Sequence, residues 1–99
     1  MSTRYLTLYL FPRLDEDGET RLGLAVSRQV GGAVERNRLK RRLRASFEEL
    51  AGMLAGRDYV LVARPGLAEA VEARGLHWLN DRVAEIFELA AGTEREAQA

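Results

Sequence analysis

The chain has 99 residues, of which 46% are hydrophobic and 30% charged, and its 15 basic and 15 acidic side chains leave no net charge. This length suits a single domain with an ordinary core. The absence of cysteine excludes disulfides and thiolate metal sites, and a lone His77 excludes a histidine cluster. With no apolar run of membrane-spanning length and no signal-peptide pattern, we expect a cytoplasmic protein that does not contact the membrane.

Two alternating segments predict β-strands in the first third of the chain. Residues 5–11 place leucines on one face and a second set of side chains on the other, namely Tyr5, Thr7, Tyr9 and Phe11. Residues 21–27 alternate in the same way and end at Ser27. The acidic stretch 15–19 contains Asp-Gly and predicts a hairpin turn; it lacks most ligand positions of a calcium loop. We therefore expect the two strands to pair directly.

A glycine pair, Gly31-Gly32, ends the second strand, and a helix is predicted over residues 33–55. Its apolar side chains recur at helical spacing and form one stripe, made of Leu39, Leu43, Phe47, Leu50 and Leu54. Gly56 is the predicted C-terminal stop. A short, mostly apolar strand follows over residues 58–64.

A last helix is predicted over residues 76–91, and its buried stripe contains Leu76, Leu79, Val83, Ile86, Phe87 and Ala90. Residues 92–99 are polar and predict a frayed tail. The chain is thus expected to be one domain over residues 1–99, with its core over about 4–91. The order strand, strand, helix, strand, helix predicts an α+β two-layer fold, a small sheet covered on its leucine face by two helices.

The charges are unevenly distributed along the chain. Residues 27–44 contain seven cationic side chains and one Glu, whereas residues 66–99 contain seven acids and three bases. Six of these cations fall in the N-terminal half of the predicted helix, where they oppose the helix dipole and repel one another at i,i+4 spacing. A bound polyanion would reverse the sign of both effects, because phosphate is attracted to guanidinium groups and to free backbone N–H groups. Gly31 and Gly32 should let a phosphate approach closely.

Two other interpretations of this basic helix remain open. It could be a solvated face paired with Glu48, Glu49 or the acidic last helix. It could also belong to a helix-turn-helix that binds DNA, although strands flank it.

Residues 30–44, VGGAVERNRLKRRLR, resemble the signature of the bacterial ribonuclease P protein subunit, whose helix is named for the Arg36-Asn37-Arg38 core. The segments RLGLAVS before it and DYVLVARPG after it are similar to that family in order and spacing. The resemblance covers roughly residues 4 to 90. It implies the fold of the second domain of a small-subunit ribosomal protein, with four strands in the family and a left-handed βαβ crossover.

The resemblance also implies a function. The family's ribonucleoprotein enzyme removes the 5′ leader from precursor tRNA, and its RNA subunit carries out the endonuclease reaction with bound Mg²⁺. The expected partners are therefore ribonuclease P RNA and precursor tRNA. We expect no catalytic or metal-binding residue in the protein itself.

Two sets of site residues follow from the resemblance and the charge pattern. The expected contacts to the RNA subunit are Arg28, Arg36, Asn37, Arg38, Lys40, Arg41 and Arg44. The expected leader-binding face, where tyrosines could stack on bases, contains Tyr5, Thr7, Tyr9 and Ser27.

The chain also departs from the family. Members usually carry an N-terminal helix before the position of Tyr5. Here either the sequence starts too late, the chain is truncated, or this member lost the helix, and the uncovered sheet face is then a candidate surface for self-association. Gln29, Gly32 and Glu35 stand where cationic or polar residues are common. The alternative functions are an RNA-binding or RNA-chaperone module without a role in cleavage, and a protein-interaction domain.

Overall fold

The computed structural model describes residues 1–11, 20–50 and 57–98, with side chains up to Gly92. Its elements are β1 (Leu6–Phe11), β2 (Arg21–Val26), α1 (Ala33–Leu50), β3 (Asp58–Ala63), α2 (Leu67–Arg74) and α3 (Leu76–Gln98). The predicted α+β architecture is confirmed, since a three-stranded sheet packs against helices. The predicted hairpin turn at 15–19, Leu54 and the helix stop at Gly56 lie outside the described residues.

The strand order is β1-β3-β2, so the predicted direct pairing of β1 with β2 is wrong. β3 lies between them, antiparallel to β1 and parallel to β2. The physical reason lies in β3 itself: Tyr59 and Leu61 are buried on one face, and Val60 and Val62 are half-buried on the other. A strand that is apolar on both faces is most stable at the centre of a sheet. α1 forms the crossover between the parallel strands β2 and β3.

Residues 1–3 fold back along the free edge of β1. The backbone N–H of Leu8 donates to the Met1 carbonyl at 2.7 Å, and that of Thr3 donates to the Leu6 carbonyl at 2.8 Å. The Ser2 and Thr7 hydroxyls are 3.0 Å apart and hydrogen-bonded. This pairing satisfies backbone groups that an open edge strand would otherwise expose.

The helices bury their predicted stripes against the leucine face of the sheet. Leu39, Leu43 and Phe47 of α1 are buried. α3 buries five of its six predicted residues, Leu79, Val83, Ile86, Phe87 and Ala90. The prediction for Leu76 is wrong, because this first residue of α3 is 52% exposed. Three rings join both helices to β3, with centroid separations of 5.2 to 6.2 Å among Phe47, Tyr59 and Phe87.

A third helix, α2, was not predicted. It begins after Gly66, whose φ of 95° suits glycine, and buries Leu67 and Val71. Gly75, with φ of 89°, separates α2 from α3. α3 continues to Gln98, beyond the predicted helix end at residue 91.

One polar contact links the two long helices inside the packed layer. The buried Ser46 of α1 donates its hydroxyl hydrogen bond to the side-chain oxygen of Asn80 in α3. A buried hydroxyl needs such a partner to offset its desolvation. Within the described part of the chain, no helix is both long and apolar enough to cross a membrane.

Candidate nucleic-acid interface

The loop between β2 and α1 is fixed by one apolar anchor. Val30 is buried in the core, and its backbone N–H donates to the Ser27 carbonyl at 3.1 Å. The first helical bond of α1 runs from the Arg36 N–H to the Gly32 carbonyl at 2.9 Å. Because Val30 points inward, Arg28 remains exposed beside the helix N-terminus.

One side of α1 carries polar and cationic groups toward solvent. With Leu39 and Leu43 directed into the core, Asn37, Arg41 and Arg44 are exposed and Lys40 is half-buried. We call these four residues the α1 cationic face. They recur at spacings of three and four, so they occupy one side of the helix.

The cations of α1 have no carboxylate partner within 4 Å among the residues whose side chains are described. The ion pairs found there are Arg21 with Asp58 at 3.9 Å and Arg82 with Glu85 at 3.2 Å. Glu48 and Glu49 are exposed at the other end of α1 and pair with none of its cations. The interpretation of this surface as an internally neutralised face is therefore wrong for the described residues.

The opposite flank of α1 is electrostatically different. Arg38 and Arg42 line a hollow of about 110 Å³ between α1 and α2, together with Glu35, Glu69 and Glu72. These carboxylates do not form ion pairs with the arginines, yet they lower the local positive potential. Of the predicted RNA contacts, Arg38 is thus the one that faces acidic neighbours.

Arg36 is half-buried, and its Nε atom is buried without a hydrogen-bond partner among the described groups. Its guanidinium has further N–H donors besides Nε, which an acceptor outside the protein can use.

The two glycines before α1 differ in what surrounds them. The Glu35 carboxylate folds back against Gly31, where it would collide with any added Cβ. At Gly32, an added Cβ would have no neighbour within 4 Å. Gly32 is therefore open to a phosphate, whereas at Gly31 the flexible Glu35 carboxylate would have to move first.

The outer face of the sheet, away from the helices, presents two aromatic side chains. Tyr9 is 52% exposed and Phe11 is 50% exposed. Tyr9 and Gly23 both pair with Val60 of the central strand, so Val60 separates them. On β2, across the central strand from Tyr9, this outer face has no bulky side chain, because the residues there are Gly23 and Ala25.

The structure places the other residues of the expected leader-binding face in different environments. Thr7 is half-buried and its hydroxyl is bonded to Ser2, while Ser27 is exposed just after β2. Tyr5 does not share the face of Tyr9: its ring packs edge-on against Trp78 of α3, with centroids 5.1 Å apart. The chain turns at Tyr5, before β1 begins, and period-two alternation no longer applies there. Phe11 lies on the predicted face, and its exposed ring is a further candidate for stacking on a base.

The model of the family described as Ribonuclease P matches residues 1–86 of the chain. The chain belongs to this family. The ribonuclease P protein component of Halalkalibacterium halodurans is 35% identical over 91 residues, covering 89% of this chain and 76% of that protein. The component of Enterococcus faecalis is 33% identical over 98 residues, covering 94% and 80%. That of Shouchella clausii is 51% identical over 65 residues, covering 65% of this chain and 52% of that protein.

Solved structures agree with the ribonuclease P protein fold. The RNase P protein from Thermotoga maritima, in complex with a fluorophenyl thiourea, has a TM-score of 0.76 and 28% identity, covering 87% of this chain and 79% of its own. The Staphylococcus aureus RNase P protein has a TM-score of 0.79 at 23% identity, which concerns the fold alone. The predicted family and its role as a ribonuclease P protein component are confirmed, and nothing in these comparisons favours a separate RNA-chaperone module.

Proposed function

We propose that the α1 cationic face, together with Arg28 and Arg36, binds the RNA subunit of ribonuclease P. The observation that carries this proposal is the lack of carboxylate partners for the α1 cations in the described structure. Clustered cations without internal partners repel one another and gain most from an external anion. RNA phosphates supply that anion, and Arg41 and Arg44 can each present two N–H groups to one phosphate.

The chemistry of cleavage is assigned to the RNA. Among the residues with described side chains, no three His, Asp or Glu groups gather where they could hold a metal ion. We place the Mg²⁺ of the reaction on the RNA subunit, as the family resemblance implies. The protein then contributes binding: it neutralises phosphates and helps to hold the precursor tRNA in the complex.

The outer sheet face is the proposed site for the 5′ leader of precursor tRNA. Tyr9 and Phe11 expose about half of their surface, and an unpaired base can stack on an aromatic ring. Gly23 and Ala25 leave room for the nucleotide backbone beside them. After the correction at Tyr5, this proposal depends mainly on Tyr9 and Phe11.

A precursor tRNA cleavage assay tests the function directly. The ribonuclease P RNA encoded by the same genome is assayed at limiting Mg²⁺, with and without this chain. We expect the protein to raise the cleavage rate and to lower the Mg²⁺ requirement. The double variant Arg41→Gln, Arg44→Gln should need a higher protein concentration for the same effect, while Val34→Ala, at an exposed position of the same helix, should behave as wild type.

The same assay separates the proposal from its alternative. An RNA-binding module without a role in processing would bind the RNA yet leave both the cleavage rate and the Mg²⁺ requirement unchanged. A protein-interaction domain would show no salt-dependent affinity for RNA at all.

A further inference from the structure

A second group of arginines lies at the corner where α2 meets α3, away from the α1 cationic face. Its centre is the edge-on pair of Tyr5 and Trp78. The guanidinium of Arg4 lies 5.2 Å from the centroid of the Tyr5 ring. Those of Arg74 and Arg82 lie 5.7 and 5.9 Å from the Trp78 ring. Three guanidinium groups thus lie close to two adjacent aromatic rings. We call these five residues the aromatic–arginine corner.

Two of the three arginines of this corner are available to a ligand. Arg4 and Arg74 are exposed and pair with no carboxylate among the side chains that the structure describes. Arg82 is half-buried, and its Nε is 3.2 Å from the Glu85 carboxylate. Asp81 is exposed in the same turn of α3. The corner therefore keeps a net positive charge of about one, with its two free guanidinium groups at the surface.

The contacts with the rings do not use the hydrogen-bonding groups of these guanidinium groups. A guanidinium that lies over a ring is held through its plane, and the N–H groups around its edge remain free to donate. Fixing the side chain in this way reduces the entropy lost when it binds an anion. Planar guanidinium groups can donate two hydrogen bonds to one phosphodiester, which the ammonium groups of scattered lysines do not match.

The corner also adjoins the basic helix. Arg42 of α1 lines a shallow hollow with Val71, Glu72, Gly75 and Leu76, which brings it to the α2–α3 junction. Arg74 precedes Gly75 directly in the chain. Arg42 and Arg74 thus approach the same junction, where Glu72 is their acidic neighbour.

We propose that the aromatic–arginine corner is a second RNA-binding surface, which holds the phosphodiester backbone of the ribonuclease P RNA with Arg4 and Arg74. This inference rests on the proposed function, because it assigns a further contact to the same RNA. It extends the RNA footprint from α1 across the α2–α3 junction to the N-terminal turn at Tyr5.

The single tryptophan of the chain makes this proposal measurable. Trp78 emission and its quenching by acrylamide are followed while the wild-type protein is titrated with the ribonuclease P RNA of the same genome. Binding is followed in parallel by the anisotropy of end-labelled RNA. We expect the acrylamide quenching constant to fall at least twofold at saturation, with the same midpoint as the anisotropy.

Variants then separate the two surfaces. Arg74→Gln should weaken RNA affinity about threefold to tenfold and reduce the salt slope by about one phosphate contact. Arg74→Lys, which keeps the charge and loses the planar fork, should recover part of this loss. Arg41→Gln should weaken affinity too, yet leave the quenching change at saturation intact. Urea unfolding of each variant checks that the fold is unchanged.

Two results would overturn the inference. The first is unchanged quenching at saturation together with wild-type affinity and salt slope for Arg74→Gln; if Arg41→Gln still weakens binding, the proposed function survives this failure. The second is protection of Trp78 by polyglutamate but not by RNA, which would assign the corner to an acidic protein partner. If the RNA binds neither the wild type nor any variant, it is the proposed function that fails.

Discussion

The carboxylate of Glu35 lies against Gly31 at the first turn of α1, and the Glu35 Cβ would be 3.2 Å from a Cβ added at that glycine. Glu35 is the third residue of the helix, where a negative charge interacts favourably with the helix dipole. It is also the one acidic residue in the first turn of a helix crowded with cations. The same side chain therefore stabilises the free helix and opposes an approaching phosphate.

Glu35→Gln should accordingly change RNA affinity and stability in opposite directions. We expect RNA affinity to rise about twofold to fivefold, since one repulsive surface charge is removed. The free energy of unfolding should fall by a few tenths of a kcal/mol, to about 1 kcal/mol at most. Anisotropy titrations at several salt concentrations and urea unfolding measure the two effects.

The matched control is Glu48→Gln, which removes an exposed carboxylate from the C-terminal half of the same helix. It changes the net charge by the same amount, so a general charge effect would raise RNA affinity equally in both variants. Equal effects would contradict a local role for Glu35.

The two flanks of α1 should differ in their contribution to binding. Arg41 belongs to the exposed α1 cationic face, whereas Arg38 faces Glu35, Glu69 and Glu72 across the hollow. With about five phosphates engaged, log K should fall with log salt with a slope near −4, and Arg41→Gln should reduce that slope by about 0.9. Arg38→Gln should have a smaller effect on both quantities.

Salt-dependent anisotropy with wild type, Arg38→Gln and Arg41→Gln tests this difference. Neither substitution should change the free energy of unfolding by more than about 0.5 kcal/mol, because both side chains are exposed. A wild-type slope near zero would remove the basis for RNA binding by α1 altogether. Equal losses of RNA affinity for the two variants would show that Glu69 and Glu72 of α2 do not reduce the contribution of Arg38 to binding.

The sequence was sufficient to predict α1 because its signals agree with one another. The glycine pair, the period of Leu39, Leu43 and Phe47, and the clustering of cations all specify the same helix with the same inward face. Pairing between strands depends on contacts far apart in the chain, and local alternation cannot specify it. β1 and β2 alternate as hairpin strands would, yet β3, arriving after α1, inserts between them.

The candidate site was predictable to the same extent. Residues on α1 could be assigned to faces from helical geometry, which the structure confirms at Asn37, Arg41 and Arg44. Tyr5 was misplaced because the chain turns just before β1. The acidic wall of the hollow was missed because it belongs to α2, a helix of only eight residues with little amphipathic pattern.

Tyr9 provides the test of the outer sheet face. Tyr9→Ala should weaken binding of precursor tRNA by the holoenzyme by about 1–3 kcal/mol if one leader base stacks on the ring. Affinity for the RNA subunit alone should stay unchanged, because α1 lies on the other side of the sheet. The affinity of the holoenzyme is measured for precursor tRNA and for the same tRNA without its 5′ leader. We expect a loss of affinity only for the precursor; an equal loss for both RNAs would contradict leader stacking.

Leu43 and Val34 lie on the same helix in opposite environments. Leu43 is completely buried against the sheet, so Leu43→Ala should lower the free energy of unfolding by about 2–5 kcal/mol through lost burial and the cavity left behind. Val34 is 71% exposed, and Val34→Ala should change stability by less than about 0.5 kcal/mol. Urea unfolding followed by circular dichroism compares the two. A small loss for Leu43→Ala would mean that α1 is not docked through this stripe, and the orientation of its cationic face would then be wrong as well.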